Sequence, residues 1–315
     1  MIRTLWIFQI VVCLAGFILA GCGLLPRTPE QPRQKLNPEL IEKVAAYKSL
    51  QGAALDPFGF SKPKCDATLF TALCKTAGGC QEADLFLAES KQTSGQWFRH
   101  ALHDCYPAES GSDISRDMLL GVMTYLHATK DISKLAALQA YGRANDWIMG
   151  RGEISRTYFT PLMQSNLSKA IASIGGVTTV PQPDQPVDWP VNSGYQAHLD
   201  ELGILLRGVS DKSITTLELA YLEEQAKREP RNGLFQGVLH RFKDGDQSAA
   251  EAVLLDATLF PMDALPTTAN YCTHYLFQRD SKKDGKPSSD WLPCAEEIDS
   301  HDGIDFLFAA WVAGY

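Results

Sequence analysis

Three segments of this chain repeat one plan, and that plan limits most strongly what the chain can fold into. LLGVMTYLHATKDISKLAALQAY (119–141), LFQGVLHRFKDGDQSAAEAVLLD (234–256) and, more loosely, ELGILLRGVSDKSITTLELAYLEE (201–224) each begin with an apolar helical stretch carrying a glycine near its start. A short polar turn with Asp or Lys follows, then a second helical stretch. Met118, Leu119, Val122, Met123 and Leu126 fall on one helical face, and Ile132, Leu135, Leu138 and Tyr141 on the next. Strand-like alternation is scarce. An all-α chain of helical hairpins is expected, each hairpin burying its apolar stripe against a neighbour.

Hairpins stack in two ways: an open α-solenoid with a concave binding face, or a closed α/α toroid with a mouth. Solenoid connections are short and regular. Here short turns such as 127–131 alternate with long connections at 92–113 and 266–303, the pattern of a toroid whose loops gather at one end, and the toroid is the preferred expectation. At the level of layout alone the body is similar to α/α-toroid proteins, many of which are glycoside hydrolases or polysaccharide lyases. That resemblance implies a polysaccharide site at the mouth.

The N-terminus, MIRTLWIFQIVVCLAGFILAGC, has one positive charge at Arg3, an apolar run from Leu5 to Ala20 and the sequence Leu19-Ala20-Gly21-Cys22. The run is shorter than the roughly 20 residues a membrane-crossing helix needs, and reads as a secretory signal. It resembles the lipobox of bacterial lipoproteins. The resemblance implies cleavage of residues 1–21, lipidation of Cys22 (a diacylglyceryl thioether and an acylated amine, with palmitate among the acyl chains) and attachment to a membrane through lipid alone. Gly23, where a retaining aspartate would stand, implies the outer membrane, with the protein facing the periplasm. Residues 22–39 carry four prolines and form the expected tether; residues 40–315 form one helical domain, with the proline cluster at 180–190 a loop inside it. Removing Arg3 takes the net charge from −8 to −9. Such a chain has no electrostatic reason to bind nucleic acid.

Cys65, Cys74, Cys80, Cys105, Cys272 and Cys294 make an even set suited to an oxidising compartment. No CxxC pair or histidine pair at ligand spacing supports a metal, so none is expected. If 65–74 is helical, its two cysteines stand about 13 Å apart and cannot bond each other. The expected disulfides are Cys74–Cys80 across a Gly-Gly turn, Cys65–Cys105 and Cys272–Cys294.

GSDISRDMLLG (111–121) carries the chemistry most in need of explanation. Ser112 or Asp113 suffices as an N-cap and Asp117 suits the first turn, but neither role needs Arg116 or the preceding GQWFRHALHDC (95–105). Tryptophans, arginines and carboxylates gathered at one mouth suit a polysaccharide: aromatic faces stack on sugar rings, arginines hold acidic substituents and a carboxylate pair acts as acid and base. Asp113 and Asp117 are the expected pair, with His103 assisting; Trp97, Arg99, Arg116, Arg279, Trp291 and His301 are the expected substrate contacts. Other loops expected at this end carry Trp189, Tyr195 and His198; Arg228, Arg231 and Asn232; and His274, Asp280, Asp302 and Asp305. LHRFKDGD (239–246) resembles the start of a calcium loop but lacks its later glutamate. No nucleophile elbow, phosphate loop, dinucleotide fingerprint or HExxH occurs, so no cofactor is expected. The alternative function is a non-catalytic envelope scaffold or binding lipoprotein.

Overall fold

Each segment with helical periodicity is a helix, and local chemistry sets its ends. The computed structural model describes residues 35–54, 66–103, 111–178, 194–212, 214–262 and 303–315, and Leu36–Tyr315 make up one compact unit. Among the described residues the helices are α1 (Pro38–Ala54), α2 (Ala67–Thr76), α3 (Arg116–Ala128), α4 (Ile132–Ala144), α5 (Pro161–Ser173), α6 (Gly194–Asp211), α7 (Thr216–Arg228), α8 (Gly233–Lys243), α9 (Ser248–Leu255) and α10 (Ile304–Val312). The three repeated segments are the pairs α3/α4, α6/α7 and α8/α9. Their starts are capped by side chains that satisfy the first free amides. Asp131 accepts from the Lys134 N–H at α4, Asn232 accepts from Leu234 and Phe235 at α8, and Thr215 and Glu218 close a reciprocal capping box at α7.

The periodicity gave no sign of a small antiparallel strand pair, β1 (Ile148–Arg151) and β2 (Arg156–Tyr158), with Ile148 opposite Tyr158 and Arg151 opposite Arg156. Strands of three and four residues are too short to show an alternation.

α2 packs on α3, α3 on α6, α6 on α8, α8 on α10, and α10 back on α2. The remaining helices flank this set: α4 lies on α3 and α5, α5 also on α6, α7 on α6 and α8, α9 on α8 and α10, and α1 on α9 and α10. Burial follows the same division. Every residue of α2 except Lys75 is buried, as is every residue of α10 except Trp311 and every residue of α8 from Gly233 to Leu239. Helices apolar on all sides belong inside a protein.

Two glycines let the inner helices approach. A Cβ on Gly121 of α3 would stand 2.8 Å from Leu69 Cδ1 of α2, and one on Gly208 of α6 would stand 2.3 Å from Phe242 Cζ of α8. The contacts also give direction. Gly208 and Phe242 lie near the C-terminal ends of their helices, Asp117 and His198 near the N-terminal ends of α3 and α6, and Gly233 and Gly237 face Ala309 and Val312 in the same order. The start of α2 is tied to the segment before α3 through Arg99. The N-terminal ends of these inner helices therefore lie at one end of the body. α1 runs the other way along α10: Tyr47 meets the Phe306 ring at 4.2 Å, while the Asn37 N–H donates to the Tyr315 hydroxyl at 2.8 Å.

Cys74, at the end of α2, is bonded to Cys80, with Cα atoms 5.7 Å apart. Cys65, Cys105, Cys272 and Cys294 lie outside the described residues, as does Cys22. No helix among the described residues is long and apolar enough to cross a membrane.

Candidate functional site

Asp117, in the first turn of α3, meets the start of α6 through His198. Helix α3 does not begin at Ser112 or Asp113, as their sequence suggests, but at Arg116, with Ser115 as N-cap. The reason lies in competing bonds. Asp113 Oδ1 accepts the Arg151 N–H at 2.8 Å, and the Asp113 N–H donates to the Arg151 carbonyl at 3.2 Å. Both groups that could have started the helix are thus committed to β1. Ser115 forms no side-chain cap either, because its hydroxyl donates to Asp117 Oδ1.

The other Asp117 oxygen, Oδ2, stands 3.5 Å from His198 Nε2 on α6. Burial pushes the Asp117 carboxyl upward, but the hydrogen bond and charge of His198, the Ser115 hydroxyl and the Arg99 guanidinium outweigh it and hold the group at about 2. Asp117 is an anion at neutral pH.

Two residues beyond His198, Asp200 shows the opposite behaviour. Its Oδ2 accepts from the Tyr221 hydroxyl of α7 at 2.8 Å. Burial dominates there, and Tyr221, His198 and Arg116 only partly offset it, so Asp200 is raised to about 6. Its neighbour Glu201 is fully buried, and burial together with the Asp200 charge lifts it well above the ordinary glutamate value. One anion and two carboxyls that resist ionisation thus stand on adjacent helices. Environments that push carboxyl groups apart in this way divide them into a proton acceptor and a proton donor.

The remaining expected residues are distributed as follows. Arg116 is exposed beside this cluster and acts electrostatically on Asp200. Arg99 belongs to the framework: its Nε donates to the Ser112 carbonyl at 2.7 Å and its Nη1 to Asp66 Oδ1 at 3.1 Å. Trp97, expected to stack on sugar, is instead 1% exposed in the core, with its backbone bridged to Glu89, and offers no face to a ligand. Asp113 is raised by burial against the offsetting Arg151 N–H, but its carboxylate is held by that backbone bond. His103 is exposed, stacked on Phe98 at 4.0 Å with Nε2 3.0 Å from the Leu87 carbonyl. Arg231 pairs with Asp256 at 3.3 Å, Asn232 is the cap of α8, and Asp305 is buried in the first turn of α10. Trp189, His274, Arg279, Asp280, Trp291, His301 and Asp302 lie outside the described residues, as do the side chains of Tyr195 and Arg228. Among the described residues, no group of three or more His, Cys, Asp or Glu side chains could hold a metal.

Asp200, Glu201 and Tyr221 were not singled out by their sequence pattern. The available signal was HLDELGILL (198–206), where two adjacent acids interrupt an apolar stripe at positions that a solvated helix face would not bury.

No protein-family model, curated protein or solved structure matches the chain.

Proposed function

We propose that this chain is a lipid-anchored protein of the bacterial envelope whose helical body is an α/α toroid, and that the end formed by the starts of α3 and α6 cleaves a polysaccharide by acid–base catalysis. One observation carries the catalytic part: Asp117 and Asp200, at the same end of the body, have been driven to opposite protonation behaviour by their surroundings. Asp117 serves as the base or charge-stabilising anion, Asp200 as the general acid, and Arg116 as the exposed cation that holds the polymer. The return contact of α10 on α2 and the common direction of the inner helices support the toroid over the open solenoid. The Leu19-Ala20-Gly21-Cys22 sequence supports the anchor. The first helix of the body begins at Pro38, and Asn37 meets Tyr315 at the end away from Asp117.

Incubation with purified envelope polysaccharides tests this. New reducing ends alone identify a hydrolase, and unsaturated ends identify a lyase. Asp200→Asn should lower either by about a hundredfold or more. If no polysaccharide is altered or retained by the folded protein, the proposal fails.

The framework roles of Trp97 and Arg99 favour a second reading, a non-catalytic scaffold, because they remove two of the expected substrate contacts. That reading expects binding or assembly phenotypes with no change in any polymer.

A further inference from the structure

Glu201 has no part in the acid–base assignment, yet among the described residues it is the buried carboxyl with both oxygens unpartnered. It is 0% exposed, and neither carboxyl oxygen has a hydrogen-bond partner among the described residues. An ionised carboxylate so placed has lost its water and gained nothing in return, the costliest condition a side chain can meet. Among the described residues, no cation is paired with it. On α6 it lies one turn from His198, which is engaged with Asp117, and next to Asp200. From α3 the facing groups are Asp117 and the exposed Arg116. From α7 they are Tyr221, committed to Asp200, and Glu218, paired with Arg207 nearly two turns further along. From α5 the cation is Lys169, bonded to Asp211 at the far end. α8 carries no titratable group before His240.

We propose that Glu201 is a positioning residue that stays an uncharged acid beside Asp200 and thereby makes Asp200 the carboxyl that exchanges its proton during the reaction. The inference rests on the acid role given to Asp200 above. Of two adjacent buried carboxyls only one ionises readily. Asp200 has Tyr221, His198 and Arg116 to stabilise its anion; Glu201 has none of them. In the reaction the Asp200 O–H bond breaks and its electron pair remains on Asp200; the proton bonds to the glycosidic oxygen as the C–O bond to that oxygen breaks with its pair staying on oxygen, and the sugar takes up water in a hydrolase or loses a proton to form a double bond in a lyase. That anion then forms beside a neutral neighbour. An ionised Glu201 would oppose it.

Infrared spectroscopy of the full-length protein from about pH 5 to about pH 9, with Glu201→Gln and Asp200→Asn alongside, tests the proposal. The carbonyl band of a protonated carboxylic acid should survive the titration of Asp200, vanish in Glu201→Gln, and disappear at lower pH in Asp200→Asn, where the opposing charge is gone. Glu201→Gln should melt no lower than the parent at about pH 8. A parent protein without that band above the Asp200 transition, or a band that persists in Glu201→Gln, overturns the assignment. Turnover distinguishes the two levels. Full activity in Asp200→Asn with the expected band overturns the acid role and the positioning role together, whereas lost activity with no band overturns the part of Glu201 alone.

Discussion

Asp117 and Asp200 carry the same side chain, and their surroundings give them opposite effects on stability. The folded-state value of Asp117 lies below that of an unfolded aspartate, so its contribution is present above about pH 4 and is lost as pH falls through about 2. The shift corresponds to about 2 kcal/mol. Asp200 is raised, so its contribution is full below about pH 4 and is lost as pH rises through about 6, at a cost of about 3 kcal/mol. Melting curves should therefore separate the two variants. At about pH 7, Asp117→Asn should destabilise by about 2 kcal/mol and Asp200→Asn should stabilise by up to about 3 kcal/mol; both differences should shrink toward about pH 3. Stability gained with activity lost is the behaviour of a group retained for chemistry. The sequence pointed to Asp117 because the start of a helix did not require it. It did not reveal Asp200, because burial on α6 raises that residue against the opposing hydrogen bond of Tyr221, and neither leaves a mark on local spacing.

Helix existence was legible from period, and the pairs at 119–141, 201–224 and 234–256 are the hairpins that their apolar spacing implies. Helix starts were less legible. At α3 the best capping residue by type, Asp113, is drawn off by the Arg151 backbone, a strand pair that lies more than thirty residues downstream. A competition of this kind is decided by tertiary structure. Glycines inside the helices were equally ambiguous in sequence, and the fold explains Gly121 and Gly208 by contact. Replacing Gly208 with Ala improves helix propensity by about 1 kcal/mol, but the new methyl meets the Phe242 ring at 2.3 Å. Overpacking at about 1–3 kcal/mol should prevail. Chemical denaturation should show Gly208→Ala to be less stable than the parent; a gain in stability would mean that α6 and α8 do not approach as closely as their contact indicates.

In the body as a whole, the two ends hold different groups. Asn37 and Tyr315 meet at one end, and Asp117 and His198 at the other. If Cys22 is the anchor, Cys22→Ala should abolish lipid labelling and move the protein out of the membrane fraction; a variant that stays membrane-bound without lipid would identify residues 1–22 as an uncleaved anchor. The meeting of α10 with α2 across most of the chain length could not be read from the repeats, since the same hairpins build open and closed stacks. A polysaccharide site centred on Asp117 makes a definite demand on binding. Affinity for a panel of envelope glycans is to be measured for the parent protein, Asp113→Asn and Asp117→Asn, each verified as folded. The parent and Asp113→Asn should bind alike, because asparagine still accepts the Arg151 N–H, and Asp117→Asn should lose about a hundredfold or more in affinity or turnover. Equal binding by all three proteins, or binding by none, would contradict it.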